Sequence, residues 1–229
     1  MAQKIDELDL DKGDANFMPL SPLAFLERAA SVWPGRTAIV HGGLRRSWWE
    51  VFLRSRKLAA ALMVRGVGLG DTVALMGANT PETFEAHFGV PLTGAVLNTI
   101  NTRLDAEAIA FILNHGAAKL LITDREFSGP VKKALESLGR TIPVIDIDDP
   151  LYRGGELLGE TSYEQLLAEA DGKDLPWGMP TDERQAIALN YTCGATGNPK
   201  GVVYSHRDAH LNAVSNALSW SMGDGPVCL

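Results

Sequence analysis

Residues 191 to 207 read Tyr-Thr-Cys-Gly-Ala-Thr-Gly-Asn-Pro-Lys-Gly-Val-Val-Tyr-Ser-His-Arg, a glycine-rich loop with one lysine, set between two apolar runs. Gly194, Gly197 and Gly201 leave little side chain in a ligand's way and permit positive φ, so backbone N–H groups can converge on an anion. The chemistry on offer is phosphate binding. Walker A places its lysine directly after the last glycine and before Ser or Thr; here Lys200 follows Pro199 and precedes Gly201, so the spacing excludes it.

The residues after the loop read as structure. Ser205-x-x-Asp208 is a capping-box variant, and Leu211, Val214, Leu218 and Met222 then recur at helical spacing. Ser205 and His206 are therefore residues of a helix start. A thiol nucleophile at Cys193 with His206 as its base lacks an orienting acid. The string Gly66-Val-Gly68-Leu-Gly70-Asp71 imitates a dinucleotide fingerprint, but its third glycine is one residue early and a strand comes after it; it reads as a helix exit and turn.

The loop resembles the phosphate loop of the adenylate-forming superfamily, which comprises acyl-CoA synthetases, luciferases and peptide-synthetase adenylation domains. Its usual form is Thr-Ser-Gly-Thr-Thr-Gly-x-Pro-Lys-Gly-Val followed by Ser-His-Arg. Thr192, Gly194, Thr196, Gly197, Pro199, Lys200, Gly201, Val202, Ser205, His206 and Arg207 fit that form, whereas Cys193 replaces a usual Ser and Ala195 a usual Ser or Thr. Upstream, Arg46 to Glu50, Gly66 to Ala74, Asn79 to Phe84 and Gly94 to Leu104 occur in the family's order, so the likeness runs from about Phe25 to Leu229. The Leu97 to Leu104 string is similar to CoA ligases of the fatty-acid or methylmercaptopropionate type; within it Asn101 and Arg103 read as a buried turn network in preference to substrate contacts.

The resemblance implies that Thr192, Cys193, Gly194, Ala195, Thr196, Gly197 and Lys200 hold the phosphates of ATP. It also implies Mg²⁺ and coenzyme A as cosubstrates: a carboxylic acid and ATP form an acyl-adenylate and pyrophosphate, and the CoA thiol displaces AMP. No catalytic residue or metal ligand is assigned within the chain. Each missing hydroxyl removes about 1.5–3 kcal/mol of hydrogen bonding to a charged acceptor where no water replaces it. Thr192, Thr196, Lys200 and the backbone groups remain, so a working loop is expected.

The chain has 229 residues, 45% hydrophobic and 21% charged, enough for a real core. Its net charge of −7 argues against a general nucleic-acid surface and leaves Lys200 and Arg207 as local positive charge beside the loop. Cys193 and Cys228 have no metal or disulfide spacing, which fits a cytoplasmic protein, and no apolar run is long enough for a membrane span. Strands are expected at Thr37–Val40, Thr72–Met76, Ala95–Leu97, Lys119–Thr123, Val144–Ile147, Ala186–Tyr191 and Val202–Tyr204. Helical patterns lie between them, one starting at Thr80-Pro81-Glu82 and others at 105–115, 127–138 and 162–170. This alternation predicts an α/β fold of mainly parallel sheet covered by helices.

By the resemblance, residues 1–229 form the N-terminal portion of an AMP-binding domain, breaking off within a strand near 227–229. The adenine-contacting and magnesium-associated segments and the mobile C-terminal domain would lie downstream. The expected function is that of an N-terminal fragment of an AMP-forming acyl-CoA ligase, inactive alone; the alternative is a non-catalytic nucleotide-binding or interaction module. An interrupted sheet would leave an unpaired edge, so a homodimer or association with the missing C-terminal part is expected.

Overall fold

The computed structural model describes residues 11–13, 15–192 and 199–228. Local chemistry starts most helices. Ser47 and Glu50 form a reciprocal capping box on α2 (Trp48–Val64). Thr80 caps α3 (Pro81–Gly89), where Pro81 fills the first helical position, and Asp105 caps α4 (Ala106–His115). Ser162 and Gln165 box α6 (Tyr163–Ala168), and Ser205 and Asp208 box α7 (His206–Ser219). The remaining helices are α1 (Leu23–Val32) and α5 (Ser128–Ser137).

The strands are β1 (Thr37–His41), β2 (Leu44–Ser47), β3 (Thr72–Met76), β4 (Val96–Thr99), β5 (Ala118–Asp124), β6 (Val144–Ile147), β7 (Thr161–Ser162), β8 (Ala186–Tyr191) and β9 (Gly201–Ser205). β1 and β2 form a separate antiparallel hairpin. The others form one sheet in the order β7-β6-β5-β3-β4-β8-β9, parallel throughout except that β9 runs antiparallel to β8. From β3 the chain passes through α3 to β4 on one side, then returns through α4 past β3 to β5 on the other, the doubly wound pattern.

Strand alternation divides the core in two. Val73 and Leu75 pack with Leu58, Leu62, Ala86 and Leu166 under α2, α3 and α6. Ala74 and Met76 face the other way, onto Ile109, Ile112, Leu113 and Val131 of α4 and α5. Burying each such leucine or isoleucine contributes about 1.5–3 kcal/mol. Gly66 and Gly70 adopt positive φ in the turn between α2 and β3, so this glycine string is a helix exit and carries no dinucleotide fold.

Glu85 is a fully buried acid within this layer. It accepts hydrogen bonds from Arg46 Nη1 (2.5 Å), Arg54 Nε (2.8 Å) and the Tyr163 hydroxyl (3.1 Å). Burial pushes its carboxyl upward, and the Arg54 and Arg46 guanidiniums oppose that push.

The elements expected from the sequence hold with five differences. α1, β2 and β7 were not expected, and α7 stops at Ser219, short of Met222. Asn101 and Arg103 do form a turn, with Arg103 N donating to Asn101 Oδ1, but both are exposed, so the network is not buried. Pro226, Val227 and Cys228 come after a bend at Asp224-Gly225 and belong to no strand.

Candidate functional site

β8 and β9 are a hairpin stem. Their antiparallel register ends with Tyr191 opposite Gly201, and the Thr192 amide then donates to the Lys200 carbonyl (3.1 Å), closing the neck of the loop. Cys193, Gly194, Ala195, Thr196 and Gly197 lie outside the described residues. Thr192 and Lys200 are described, and both are exposed on facing sides of the neck. Among the described residues neither the Thr192 hydroxyl nor the Lys200 ammonium has a hydrogen-bonding or ionic partner. A free hydroxyl and a free cation flanking a glycine loop suit phosphate oxygens.

Because β8 is parallel to β4 and β4 to β3, the loop leaves the sheet at the edge where Met76, Thr99, Asp124 and Ile147 end. That is the carboxyl edge, where open α/β sheets bind ligands. Three side chains hold the last residues of β8 there. Asn98 Nδ2 donates to the Leu189 carbonyl (3.0 Å), and the Thr99 hydroxyl donates to Asn190 Oδ1 (2.6 Å). His115 Nδ1, at the end of α4, lies 2.7 Å from the Tyr191 hydroxyl, and partial burial raises that phenol. None of Asn98, Thr99, His115 or Tyr191 stood among the expected site residues. The available signal was two polar side chains, Asn98 and Thr99, at the end of an otherwise apolar strand.

Arg207 is not beside the loop. β9 separates it from Lys200 by about 16 Å of extended chain at about 3.3 Å per residue, and it pairs with Glu183 (2.6 Å). The two hydrogen bonds that Glu183 accepts, from Leu20 N and Arg207, lower its carboxyl. Ser205 and His206 do start a helix: His206 is buried, its Nδ1 is 2.8 Å from the Ser21 hydroxyl, and burial lowers its ring to about 4. A concavity of about 770 Å³ lined by Trp33, Arg36, Trp48 and residues 223–228 contains none of the loop residues. Among the described residues no group of three or more His, Cys, Asp or Glu side chains could hold a metal ion, and no helix is long and apolar enough to cross a membrane.

Fold and loop together define a class: a doubly wound α/β protein presenting a glycine loop with one lysine at the carboxyl edge of its sheet. Residues 26–229 match the AMP-binding enzyme family, and the chain belongs to it. It is 42% identical to the peroxisomal acetate/butyrate–CoA ligase of Arabidopsis thaliana, over 96% of this chain and 41% of that protein. Against the peroxisomal trans-cinnamate:CoA ligase of Petunia hybrida the identity is 41%, with the same coverage. Among solved structures it is similar to a Mycobacterium tuberculosis fatty acyl CoA synthetase, with a TM-score of 0.70 and 28% identity over 88% of this chain and 37% of that one. The chain thus spans about two fifths of the length of the curated relatives it matches.

Proposed function

We propose that this chain is the N-terminal part of an AMP-forming acid–CoA ligase and that Thr192, Cys193, Gly194, Ala195, Thr196, Gly197 and Lys200 hold the phosphates of ATP. The observation that carries the reading is the loop neck: Thr192 and Lys200 stand exposed at the carboxyl edge of the sheet, with no competing partner among the described residues. Lys200 and the loop amides would neutralise charge on the phosphates as pyrophosphate leaves, which is most of what adenylation asks of a protein at this position. Mg²⁺ would share that charge. CoA would then take the acyl group from the adenylate.

The relatives named above act on acetate, butyrate and trans-cinnamate, so the proposed acid is a small monocarboxylic acid. The thiol content favours a reducing compartment; their names add the peroxisome to the cytoplasm as a candidate, and a fluorescent fusion separates the two. The exposed apolar residues of β9 and α7 would be covered by the rest of the protein, or by a second copy in the isolated chain.

The test is carboxylate-dependent pyrophosphate release by the full-length protein, with acetate, butyrate, benzoate and trans-cinnamate compared. Release with at least one acid, AMP as coproduct and no turnover by residues 1–229 alone is expected. No release with any acid, while ATP still binds, would replace the ligase with a nucleotide-binding module.

A further inference from the structure

β8 carries the loop, and its backbone pairing toward β4 is short. Toward β4 the backbone register consists of one pair, Leu97 opposite Ala188, whereas β4 pairs with β3 through four. Beyond Ala188, side chains replace the ladder: Asn98 bonds the Leu189 carbonyl, Thr99 bonds the Asn190 side chain, and His115 meets the Tyr191 hydroxyl. Three consecutive residues immediately before Thr192 are therefore each held by a different side chain.

Packing alone does not call for this arrangement. Asn98 is 1% exposed, and its Oδ1 has no hydrogen-bond partner among the described residues, a cost that an apolar residue in β4 would avoid. The donor half of the same amide faces the Leu189 carbonyl, which fixes its orientation. The benefit lies in geometry at the loop, because displacing a phosphate-holding group by about 1 Å can cost on the order of a hundredfold in rate.

We propose that Asn98, Thr99 and the His115–Tyr191 pair are positioning residues for the phosphate loop, acting through Leu189, Asn190 and Tyr191 to set where Thr192, at the loop's neck, meets ATP. The proposal rests on the reading of this loop as the ATP site. It adds that β4 and α4, which lie outside the loop, govern the ATP step selectively.

The experiment uses the full-length protein in ATP–pyrophosphate exchange, with the near-isosteric variants Thr99→Val and Tyr191→Phe. The expected result is a fall of about tenfold in kcat/KM for ATP in each, with KM for the acid within about twofold and an unchanged thermal midpoint; Thr99→Ser restores the wild-type value. Unchanged ATP kinetics in both variants would overturn the proposal. So would a loss matched by an equal loss of folded protein that Thr99→Ser does not rescue. Amide exchange without substrate separates failure of the clamp from failure of the ligase reading. The Thr192 amide should exchange about tenfold faster in Thr99→Val than in wild type, and equal rates would overturn the clamp whether or not the protein is a ligase.

Discussion

The centre of the seven-stranded sheet and its β9 edge are finished differently. Around β3 and β5 both faces carry helices, and every residue of β3 is buried. At one edge β9 leaves Val202, Val203 and Tyr204 40%, 62% and 40% exposed. Beside it α7 buries His206 alone, while Leu211, Val214 and Leu218 face solvent. The first region supplies its own cover. The second presents an apolar edge and helix face of the kind that other protein surface covers, and it also carries the candidate site. Stability and function thus draw on different regions of one sheet, its centre and one edge.

The largest effect that tests this division is at Glu85. Glu85→Ala removes the acid that Arg46, Arg54 and Tyr163 share and should cost about 3–5 kcal/mol by urea unfolding, because two guanidiniums lose a buried partner. At the open end, Glu183→Gln, which weakens an exposed pair with Arg207, should cost far less. Equal losses would erase the distinction between the two regions.

A smaller effect is set by pH. His206 is neutral when folded, with its ring lowered to about 4 from 6.5. Below about pH 6.5 the unfolded chain therefore binds a proton that the folded chain refuses. Its contribution is full above pH 6.5 and declines as pH falls toward 4, by about 3 kcal/mol at 1.36 kcal/mol per pH unit. Stability measured across that range should depend on pH less steeply, by up to one proton, in His206→Gln. An unchanged slope would mean that His206 does not report the docking of α7 on Ser21.

The smallest effect on stability belongs to the open face. Val203→Lys combined with Leu218→Glu should leave unfolding free energy within about 0.5 kcal/mol. The same change should shift residues 1–229 from associated species toward monomer in light scattering, since both side chains are exposed. A large loss of stability would show that this face is part of the core after all.

The boundaries of β3, β6 and β8 were legible because short apolar runs are bracketed there by turn residues. β2 escaped because Leu44-Arg45-Arg46-Ser47 has little apolar character. α1 escaped although a start signal precedes it, since Pro22 is already helical and the Ser21 hydroxyl accepts from the Leu23 amide (3.2 Å). At the site, the loop's composition and lysine spacing were visible, but its surroundings were not. Arg207 is near Lys200 in the chain and far from it in space because a strand intervenes. Glu85 reads as a surface acid on a helix, and its burial depends on Arg46, Arg54 and Tyr163 from three separate segments. The clamp on β8 likewise needs β4 and α4 to converge on one strand end, a contact that local pattern cannot encode.

ATP handling by the loop at the open end of the sheet is probed most sharply by single-turnover acyl-adenylate formation. The full-length protein and its Lys200→Ala variant would be compared at saturating acid, with the fold checked by thermal unfolding. A fall of about a hundredfold or more in the rate at subsaturating ATP is expected for the variant, with an unchanged unfolding midpoint. Adenylation by Lys200→Ala at the wild-type rate would contradict the assignment of this loop to ATP.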